Sequence, residues 1–286
     1  MKTIDINTVI AQMAVADYLG EDGLLHCGTC HEAKEERFPE GFRLLGGKDK
    51  HPRLCACERA RREKEERENE ARRHEQEMDR LRRNCFTDRC QYTMTFDSSS
   101  VTHGQIEPCR RYAENWDDVV KGNFGLLFWG DVGTGKSYLA ACIANALIEK
   151  EVSVRMLNFG QILNASFEEK ARILGDLSKY GLLILDDFGM ERETEYGQEI
   201  VFQVIDNRYQ CRKPMIITTN LSLKTLSNPK DLEHERIYGR ILEACIPIHF
   251  DGENLREKER QKKVIEFRKL IMNAEKTKGD ADGLLQ

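Results

Sequence analysis

One short motif constrains the fold of this chain more than any other feature of its sequence. Residues 130–137 form the segment GDVGTGKS, which matches the phosphate-loop pattern G-x-x-x-x-G-K-[S/T]. The glycines of this pattern let backbone N–H groups surround phosphate oxygens, and the following helix directs its positive end at them. The motif lies between an apolar run at 125–129 and a helix-forming stretch at 136–150, which is the context that supports it. The sequence therefore predicts an ATP-binding site.

The residue types of the motif also predict which atoms meet the nucleotide. Lys136 is placed to reach the β and γ phosphates, and the Ser137 hydroxyl is placed to bind Mg²⁺. A glycine-rich turn without a ligand is the alternative, which the strand and helix on either side disfavour. The residues expected to bind the nucleotide are Gly130, Asp131, Val132, Gly133, Thr134, Gly135, Lys136, Ser137 and Tyr138.

A second apolar run ends in two adjacent carboxylates. Residues 182–185 are Leu-Leu-Ile-Leu, and Asp186 and Asp187 follow directly. A buried strand would deliver Asp186 to the carboxyl edge of a parallel sheet, where it would hold Mg²⁺ through water. Asp187 would then orient or deprotonate the water that attacks the γ-phosphate. Such a strand end is common by itself, but downstream of a phosphate loop it indicates an ATPase.

Apolar strands alternate with helical patterns through this part of the chain. The predicted strands are 125–129, 152–157, 182–185 and 215–219. Apolar strands that alternate with helices indicate a parallel sheet covered by helices on both faces. We therefore expect an α/β fold.

Hydrolysis also needs groups that sense or neutralise the γ-phosphate. Asn220 follows the strand at 215–219, where its amide could polarise the attacking water, although an asparagine that only caps a turn fits the pattern as well. Arg236, Arg240 and Arg256 lie downstream. An arginine supplied across a subunit boundary can raise the rate by about 10³–10⁵. Spacing alone does not tell which arginine faces which site, and a surface salt bridge is the alternative for each.

Four cysteines near the N-terminus have the spacing of metal ligands, as a C-x-x-C pair and a C-x-C pair. Closely spaced thiolates suit tetrahedral Zn²⁺. Because residues 1–19 lack the pattern of a secretory signal, the 10 cysteines of the chain indicate metal ligands and reduced thiols rather than disulfides. Free thiols are the alternative reading of these four. The predicted zinc ligands are Cys27, Cys30, Cys55 and Cys57. Histidines near enough to replace one ligand are His26, His31 and His51.

The composition changes along the chain and divides it into segments. Residues 1–57 are expected to form the small zinc-binding module, and nearly every residue from 58 to 84 is charged with both signs interleaved, which predicts an exposed helical linker. The arginines of this linker could instead bind DNA, but their acidic neighbours nearly cancel them. The ATPase is expected at 85–273, ending in a single charged helix at 257–273, and a disordered tail is expected at 274–286.

The net charge and the length of the apolar runs each exclude one class of protein. The chain has 44 Lys and Arg against 49 Asp and Glu, a net charge of −5, so it is not a globally basic nucleic-acid coat and any DNA contact must be a local patch. No apolar run approaches the roughly 18 residues of a membrane span. We therefore expect a cytoplasmic protein without a membrane partner.

The motifs together resemble the AAA+ helicase-loader family, the DnaC/DnaI-like proteins, and their relatives, the IstB-type transposition helpers. The segments that carry the resemblance are GLLFWGDVGTGKSYLAACIANAL, LLILDDFGMERETEYGQEIVFQVIDNRY, KPMIITTNLSLKTL and HERIYGRILEAC, within roughly residues 90–258. The resemblance implies an AAA+ P-loop ATPase that assembles into a ring or spiral, with ATP bound at each subunit junction.

The resemblance also implies roles for single residues. Asn220 would be the first sensor residue and Arg256 the second sensor, acting within its own subunit. Arg240 would be the arginine finger that enters a neighbouring subunit's ATP site, with Arg236 as the second candidate. A helical insertion at about 159–180 would help to line a path for single-stranded DNA. The candidate phosphate contacts there are Lys170, Arg172 and Lys179, for which a solvated helix face is an equal alternative.

The function implied by the resemblance is ATP-dependent loading of a replicative hexameric DNA helicase onto single-stranded DNA during replication initiation, in a bacterium or a phage. DnaI-like loaders join an N-terminal zinc module to the ATPase and dock it on the helicase; a zinc module that binds DNA is the alternative. An IstB-like transposition helper, which binds DNA and recruits a transposase, has the same ATPase core, but the zinc module and charged linker favour the loader. A nucleotide-gated protein without hydrolysis is disfavoured because Lys136, Asp186, Asp187, Asn220 and Arg240 are all present.

Overall fold

The computed structural model describes residues 16–42, 49–98, 104–190 and 194–279, with the backbone alone for 272–279. The chain divides into two units, Met1–Gln76 and Glu77–Gln286. Ile6, Val9, Ile10 and Met13 recur at helical spacing and predict a helix near the N-terminus, but they lie outside the described residues. Within those residues, no helix combines the length and the apolar character needed to cross a membrane.

The N-terminal unit contains two small antiparallel sheets and the first part of a long helix. Strand β1 (Tyr18–Leu19) pairs with β2 (Leu25–His26), and β3 (Glu35–Arg37) pairs with β4 (Lys50–Pro52). Cys27 and Cys55 are the apolar side chains that are buried in the described part of this unit. Such a small apolar core gives little stability by itself, and a bound structural metal ion is one way to stabilise the fold.

Helix α1 (Ala56–Cys85) begins in the N-terminal unit and ends in the second unit. It contains strong helix formers and neither glycine nor proline, and its residues 59–76 are exposed. The predicted charged linker is therefore a helix. At its C-terminal end Met78, Leu81 and Cys85 are buried in the core of the second unit.

A five-stranded parallel sheet forms the centre of the second unit. Its strand order is β6-β7-β8-β5-β9, and every neighbouring pair is parallel. The predicted α/β fold with a parallel sheet is confirmed. The strands are β5 (Gly125–Gly130), β6 (Val154–Asn158), β7 (Leu182–Phe188), β8 (Met215–Thr219) and β9 (Cys245–Phe250).

Helices cover both faces of this sheet, as alternate residues of one strand show. Leu126 and Phe128 of β5 belong to one buried apolar cluster, whereas Leu127 belongs to a second cluster on the opposite face. A 3-10 helix spans Arg89–Thr93. The α-helices are α2 (Ile106–Glu114), α3 (Trp116–Gly122), α4 (Lys136–Ile148), α5 (Phe159–Asn164), α6 (Phe167–Asp176), α7 (Glu195–Gln210), α8 (Leu223–Ser227), α9 (Leu232–Ala244) and α10 (Leu255–Gly279).

The last helix is longer than the sequence predicts. Helix α10 continues past Asn273, the predicted end of the charged helix, to Gly279, and the disordered tail expected at 274–286 stays a prediction. This stretch has no glycine or proline before Gly279, and glycine is the residue that most often ends a helix. Residues 280–286 of the predicted tail lie outside the described residues.

Candidate functional site

The phosphate-loop motif forms a tight turn between β5 and α4. Gly130, Gly133 and Gly135 all have positive φ angles, of 134°, 82° and 95°. A Cβ at Gly130 would collide with the backbone of Phe250, and one at Gly133 would collide with the side chain of Asn254. Glycine is therefore needed in this loop for two reasons: it adopts positive φ angles without strain, and it has no side chain to collide with the neighbouring segment.

Lys136 lies at the start of α4, and its ammonium group is turned into this loop. Its Nζ donates to the carbonyl oxygens of Gly130 at 2.8 Å and Asp131 at 2.6 Å. The residue is only 6% exposed. Loss of solvation lowers the pKa of Lys136, while the nearby Asp187 carboxylate acts in the opposite direction. The neutral loop carbonyls compensate the buried charge of Lys136 only in part. A phosphate bound in the loop would supply the negative charge that is missing.

The two predicted carboxylates lie at a distorted end of β7. The β7–β8 register shifts between Leu185 and Phe188, and Asp187 has a φ of 54°. The bulge separates the directions of Asp186 and Asp187, as bulges beside functional sites commonly do. Loss of solvation and the neighbouring Asp186 carboxylate raise the pKa of Asp187.

Thr218 of the neighbouring strand β8 contacts both carboxylate residues. Its hydroxyl donates to Asp186 Oδ1 at 2.6 Å and accepts from the Asp187 backbone N–H at 3.0 Å. Thr218 is fully buried. Sequence reasoning missed this residue. Its position two residues before Asn220 is the only signal that could have found it.

A cleft of about 1410 Å³ brings most of the predicted site residues together. Asp186 is not among its lining residues, and its carboxylate accepts the hydrogen bond from Thr218. One wall also contains Gln91, Met94 and Ser98, which sequence reasoning missed. The predicted residues that line the cleft are Val132, Gly133, Thr134, Gly135, Lys136, Ser137, Tyr138, Asp187, Asn220 and Arg256.

Tyr138 and the start of α10 both line this cleft, and hydrogen bonds tie each of them to another segment of the chain. The Tyr138 hydroxyl donates to the Thr95 carbonyl oxygen at 3.1 Å and lies 3.2 Å from Ser98 Oγ. At the start of α10 the backbone N–H of Leu255 donates to the Gly133 carbonyl oxygen at 2.9 Å. This second bond ties the helix that carries Arg256 directly to the phosphate loop.

Arg240 lies outside the cleft of its own chain. On α9, its Nε is 2.8 Å from Asp206 Oδ1 of α7, and its guanidinium lies 4.8 Å from the centre of the Phe202 ring. Arg236, one turn earlier on the same helix, is exposed. The structure does not bring either arginine to Lys136, so a role for Arg240 at a neighbouring site stays a prediction.

The predicted DNA-lining insertion forms two short helices, α5 and α6. Lys170 lies over the Tyr196 ring, 5.0 Å from its centre, with Nζ 3.2 Å from the hydroxyl. Lys179 pairs with Asp176 at 2.6 Å, and Arg172 lies 4.0 Å from Glu169. Among the described residues, Lys170 thus contacts an aromatic ring, whereas Arg172 and Lys179 lie beside carboxylates.

The four predicted zinc ligands come together in the N-terminal unit. Their sulfur atoms all lie within 4.8 Å of one another, with Cys57 Sγ 3.3 Å from the sulfurs of Cys27 and Cys55. Four sulfurs around a tetrahedral zinc at 2.3 Å would be about 3.8 Å apart. Backbone N–H groups, first that of Cys57, lower the pKa of Cys30 to about 6, whereas the Cys55 thiol is the main group that raises the pKa of Cys57 to about 12. The geometry fits one zinc ion, and His26 bonds to Asp22 instead.

Comparisons with known proteins match this chain to one family of ATP-binding proteins and to bacterial helicase loaders. The model of the IstB-like ATP binding protein family matches residues 60–263. The replicative helicase loader DnaC of Escherichia coli (strain K12) is 29% identical over 143 residues, which are 48% of this chain and 56% of DnaC. DnaC of Buchnera aphidicola subsp. Acyrthosiphon pisum is 28% identical over 176 residues, which are 57% of this chain and 69% of DnaC. The chain thus spans little more than half the length of the E. coli relative.

Two solved structures share the fold. The crystal structure of DnaI superposes with a TM-score of 0.50 at 23% identity, and the match covers 60% of this chain and 95% of the chain in that crystal structure. The crystal structure of the DnaC helicase loader has a TM-score of 0.50 at 21% identity, and the match covers 57% of this chain and 100% of the chain in that crystal structure. At these identities the likeness concerns the fold alone.

Proposed function

The chain belongs to the family of IstB-like ATP-binding proteins, and from this premise we propose that it is an ATPase that loads a replicative hexameric DNA helicase onto single-stranded DNA. The observation that carries the ATPase proposal is the cleft, in which a phosphate loop meets Asp187, Asn220 and Arg256. The loader role is supported by similarity to DnaC proteins of two organisms.

The groups around the cleft suit hydrolysis of ATP to ADP and phosphate. Lys136 would leave the loop carbonyls and bind the β and γ phosphates, and the Ser137 hydroxyl would hold Mg²⁺ together with Asp186 acting through water. When bound, Mg²⁺ neutralises charge that develops on the phosphates. Asp187 would accept the proton of the water whose oxygen attacks the γ-phosphorus. The bond between that phosphorus and the β–γ bridging oxygen breaks, and ADP leaves.

Two further groups would act on the γ-phosphate. The Asn220 amide would orient the attacking water, and Arg256 would neutralise phosphate charge from within the same chain. Arg240 would act from a neighbouring copy, because in its own chain it lies beside Asp206 and outside the cleft. The proposal therefore includes self-association into a ring or spiral that ATP orders.

Single-stranded DNA would bind near the insertion. Phe167 of α6 is 85% exposed and Tyr196 of α7 is 52% exposed, and Lys170 lies against the tyrosine ring. Exposed rings beside basic groups bind single strands by base stacking and phosphate contact. Arg172 and Lys179 would add to this surface only after leaving their acidic neighbours.

The N-terminal module would dock on the helicase. One zinc ion held by Cys27, Cys30, Cys55 and Cys57 would give residues 1–57 a stable fold, and the charged helix would act as a spacer between this module and the ATPase. Tyr18, Leu19 and Phe42 are exposed at 43%, 70% and 55% and provide apolar area for protein contact.

A loading assay separates this function from that of a transposition helper. The full chain is mixed with the host's replicative helicase or with a transposase, with and without ATP, and capture of each partner on a closed single-stranded circle is measured. We expect capture of the helicase with ATP, and none with Lys136→Ala. Recruitment of the transposase to duplex DNA instead would support the transposition helper and contradict the loader.

A further inference from the structure

Two adjacent threonines of β8 are buried, and each hydroxyl is hydrogen-bonded, but to different kinds of group. Thr218 and Thr219 are both fully buried. The Thr219 hydroxyl donates to the Phe188 carbonyl oxygen at 2.7 Å and accepts from the Leu221 N–H at 3.0 Å, so it joins backbone to backbone. The Thr218 hydroxyl instead joins a backbone N–H to the carboxylate of Asp186.

We propose that Thr218 is the positioning residue of the ATPase site, which sets the carboxylate of Asp186 for Mg²⁺ and the backbone of Asp187 for the attacking water. This inference rests on the proposed ATP hydrolysis. Thr218 does not line the cleft and would touch neither nucleotide nor metal.

Thr218 restrains the carboxylate of Asp186. A hydroxyl that donates at 2.6 Å to Oδ1 fixes the rotation of the carboxylate group and leaves Oδ2 for a ligand. A carboxylate that holds a metal through water must present its oxygen in one direction, and partners behind the ligand commonly set that direction. Among the described residues, no other hydrogen bond to the Asp186 carboxylate is recorded.

Thr218 also restrains the backbone of Asp187. Its φ of 54° lies in the left-handed region, and its N–H would have no ladder partner where the β7–β8 register shifts. Thr218 supplies that partner at 3.0 Å. One hydroxyl thus holds a conformation that is sparsely populated by residues other than glycine, and with it the direction of the Asp187 side chain.

Asn220 follows Thr218 by two residues and lines the cleft with Asp187. A displacement of β8 along β7 would move Asn220 and would also stretch both bonds of Thr218. The hydroxyl therefore couples the sensing amide to the two carboxylates.

The test compares Thr218→Val, which removes the hydroxyl and keeps the shape, with Thr218→Ser, which keeps the hydroxyl. ATP hydrolysis by the full chain is measured against Mg²⁺ concentration, together with binding of a fluorescent ATP analogue. We expect Thr218→Val to lower kcat by roughly tenfold to a hundredfold and to raise the Mg²⁺ concentration for half-maximal activity, with nucleotide affinity measured without Mg²⁺ unchanged. Thr218→Ser should stay within about threefold of wild type.

Thr219→Val is the matched control, because it removes an equally buried hydroxyl from the same strand. It should lower stability like Thr218→Val but leave the Mg²⁺ requirement unchanged. Equal shifts of the Mg²⁺ requirement in both valine variants, or none in Thr218→Val, would overturn the proposal.

A double-mutant cycle covers the case in which Thr218→Val folds poorly. Thr218→Ala replaces it and is combined with Asp186→Asn, where the hydroxyl has lost its carboxylate. The effect of Thr218→Ala on Mg²⁺-dependent analogue binding should disappear in that background, and full additivity would contradict the proposal. Absence of Mg²⁺-dependent hydrolysis and nucleotide binding in the wild-type chain would instead reject the proposed function.

Discussion

Arg240 lies against an acid of its own chain, with its Nε 2.8 Å from Asp206 Oδ1. The aromatic rings of Phe202 and Tyr209 lie 4.8 Å and 5.8 Å from the same guanidinium. All three partners belong to α7. An arginine proposed to enter a neighbouring ATP site is therefore restrained in the single chain, and its transfer to a phosphate must break an ion pair.

Asp206→Asn removes the charge that competes with that phosphate. Ion pairs of this kind contribute up to about 1 kcal/mol, so we expect the protein concentration for half-maximal ATPase activity to fall by up to about fivefold. Hydrolysis measured over a series of protein concentrations checks this. Asp206→Asn combined with Arg240→Ala should behave as Arg240→Ala alone. A higher half-maximal concentration in Asp206→Asn would mean that the acid orients the arginine rather than restraining it.

Asp187→Asn should stabilise the nucleotide-free protein at neutral pH while abolishing hydrolysis. The pKa of Asp187 is raised above its ordinary value of 3.8, so the folded chain binds the proton more tightly than the unfolded chain does. The charged form therefore destabilises the fold above the raised pKa, and the cost disappears as the pH falls through that pKa. Thermal unfolding should show a higher Tm for Asp187→Asn at pH 7 and a shrinking difference toward pH 4.

Asp231→Asn is the control of opposite sign. The backbone N–H and the ring of His234 lower the pKa of Asp231, so its charge stabilises the fold above pH 3.8 and that contribution is lost on acidification. This variant should not raise the Tm at pH 7. If both variants raised it equally, a general effect of net charge would explain the result.

Sequence reasoning located the elements that carry the site, because their signals are local. The strand at 215–219 has the predicted bounds, and the helix predicted at 136–150 begins at Lys136 as expected and ends two residues early, at Ile148. Apolar β-branched residues and a phosphate loop each determine their own conformation. The four cysteines were likewise identified by spacing alone, and the structure brings their sulfurs together.

The missed residues depend on contacts between elements that are distant in sequence. The partners of Thr218 and Asp206 follow from strand order and from the packing of α7 on α9, which no single segment encodes.

Arg208 is a buried residue that sequence reasoning also missed, although its spacing along the chain indicates its position. It follows Val201 and Val204 at helical spacing and therefore falls on the buried face of α7, although arginine there is unexpected.

Zinc removal should unfold the N-terminal module and leave nucleotide binding intact. Metal analysis of the full chain should find about one zinc per molecule. Cys30→Ser should lose most of that metal, whereas Cys90→Ser, which alters an exposed cysteine outside the cluster, should keep it. ATP-analogue binding should persist in both, because the cleft belongs to the second unit. A zinc content below about 0.2 per chain in freshly purified wild type, with a stably folded module, would contradict the metal site.

Arg208 should be among the largest single contributors to stability outside the apolar core. It is fully buried, and its guanidinium donates to the carbonyl oxygens of Leu177, Tyr180, Gly181 and Pro214 at 2.6–3.2 Å. Burial lowers its pKa to about 10, so it stays charged at neutral pH. These carbonyls lie between α6 and β7 and between α7 and β8, and the Pro214 carbonyl also accepts a long bond of 3.5 Å from the Leu183 N–H.

Arg208→Met keeps much of the buried volume but removes the guanidinium that donates to all four carbonyls, of which that of Pro214 retains the Leu183 N–H at 3.5 Å. We expect it to lower the free energy of unfolding in urea by about 3 kcal/mol or more, because each unsatisfied buried acceptor costs about 1–3 kcal/mol. Gln203→Ala, exposed on the same helix, should change stability by less than about 0.5 kcal/mol. Arg208→Lys should fall between wild type and Arg208→Met, since one ammonium cannot reach all four carbonyls. Hydrogen exchange should accelerate first at 177–181 in Arg208→Met, and a loss of stability without that local change would show that the arginine acts only through packing.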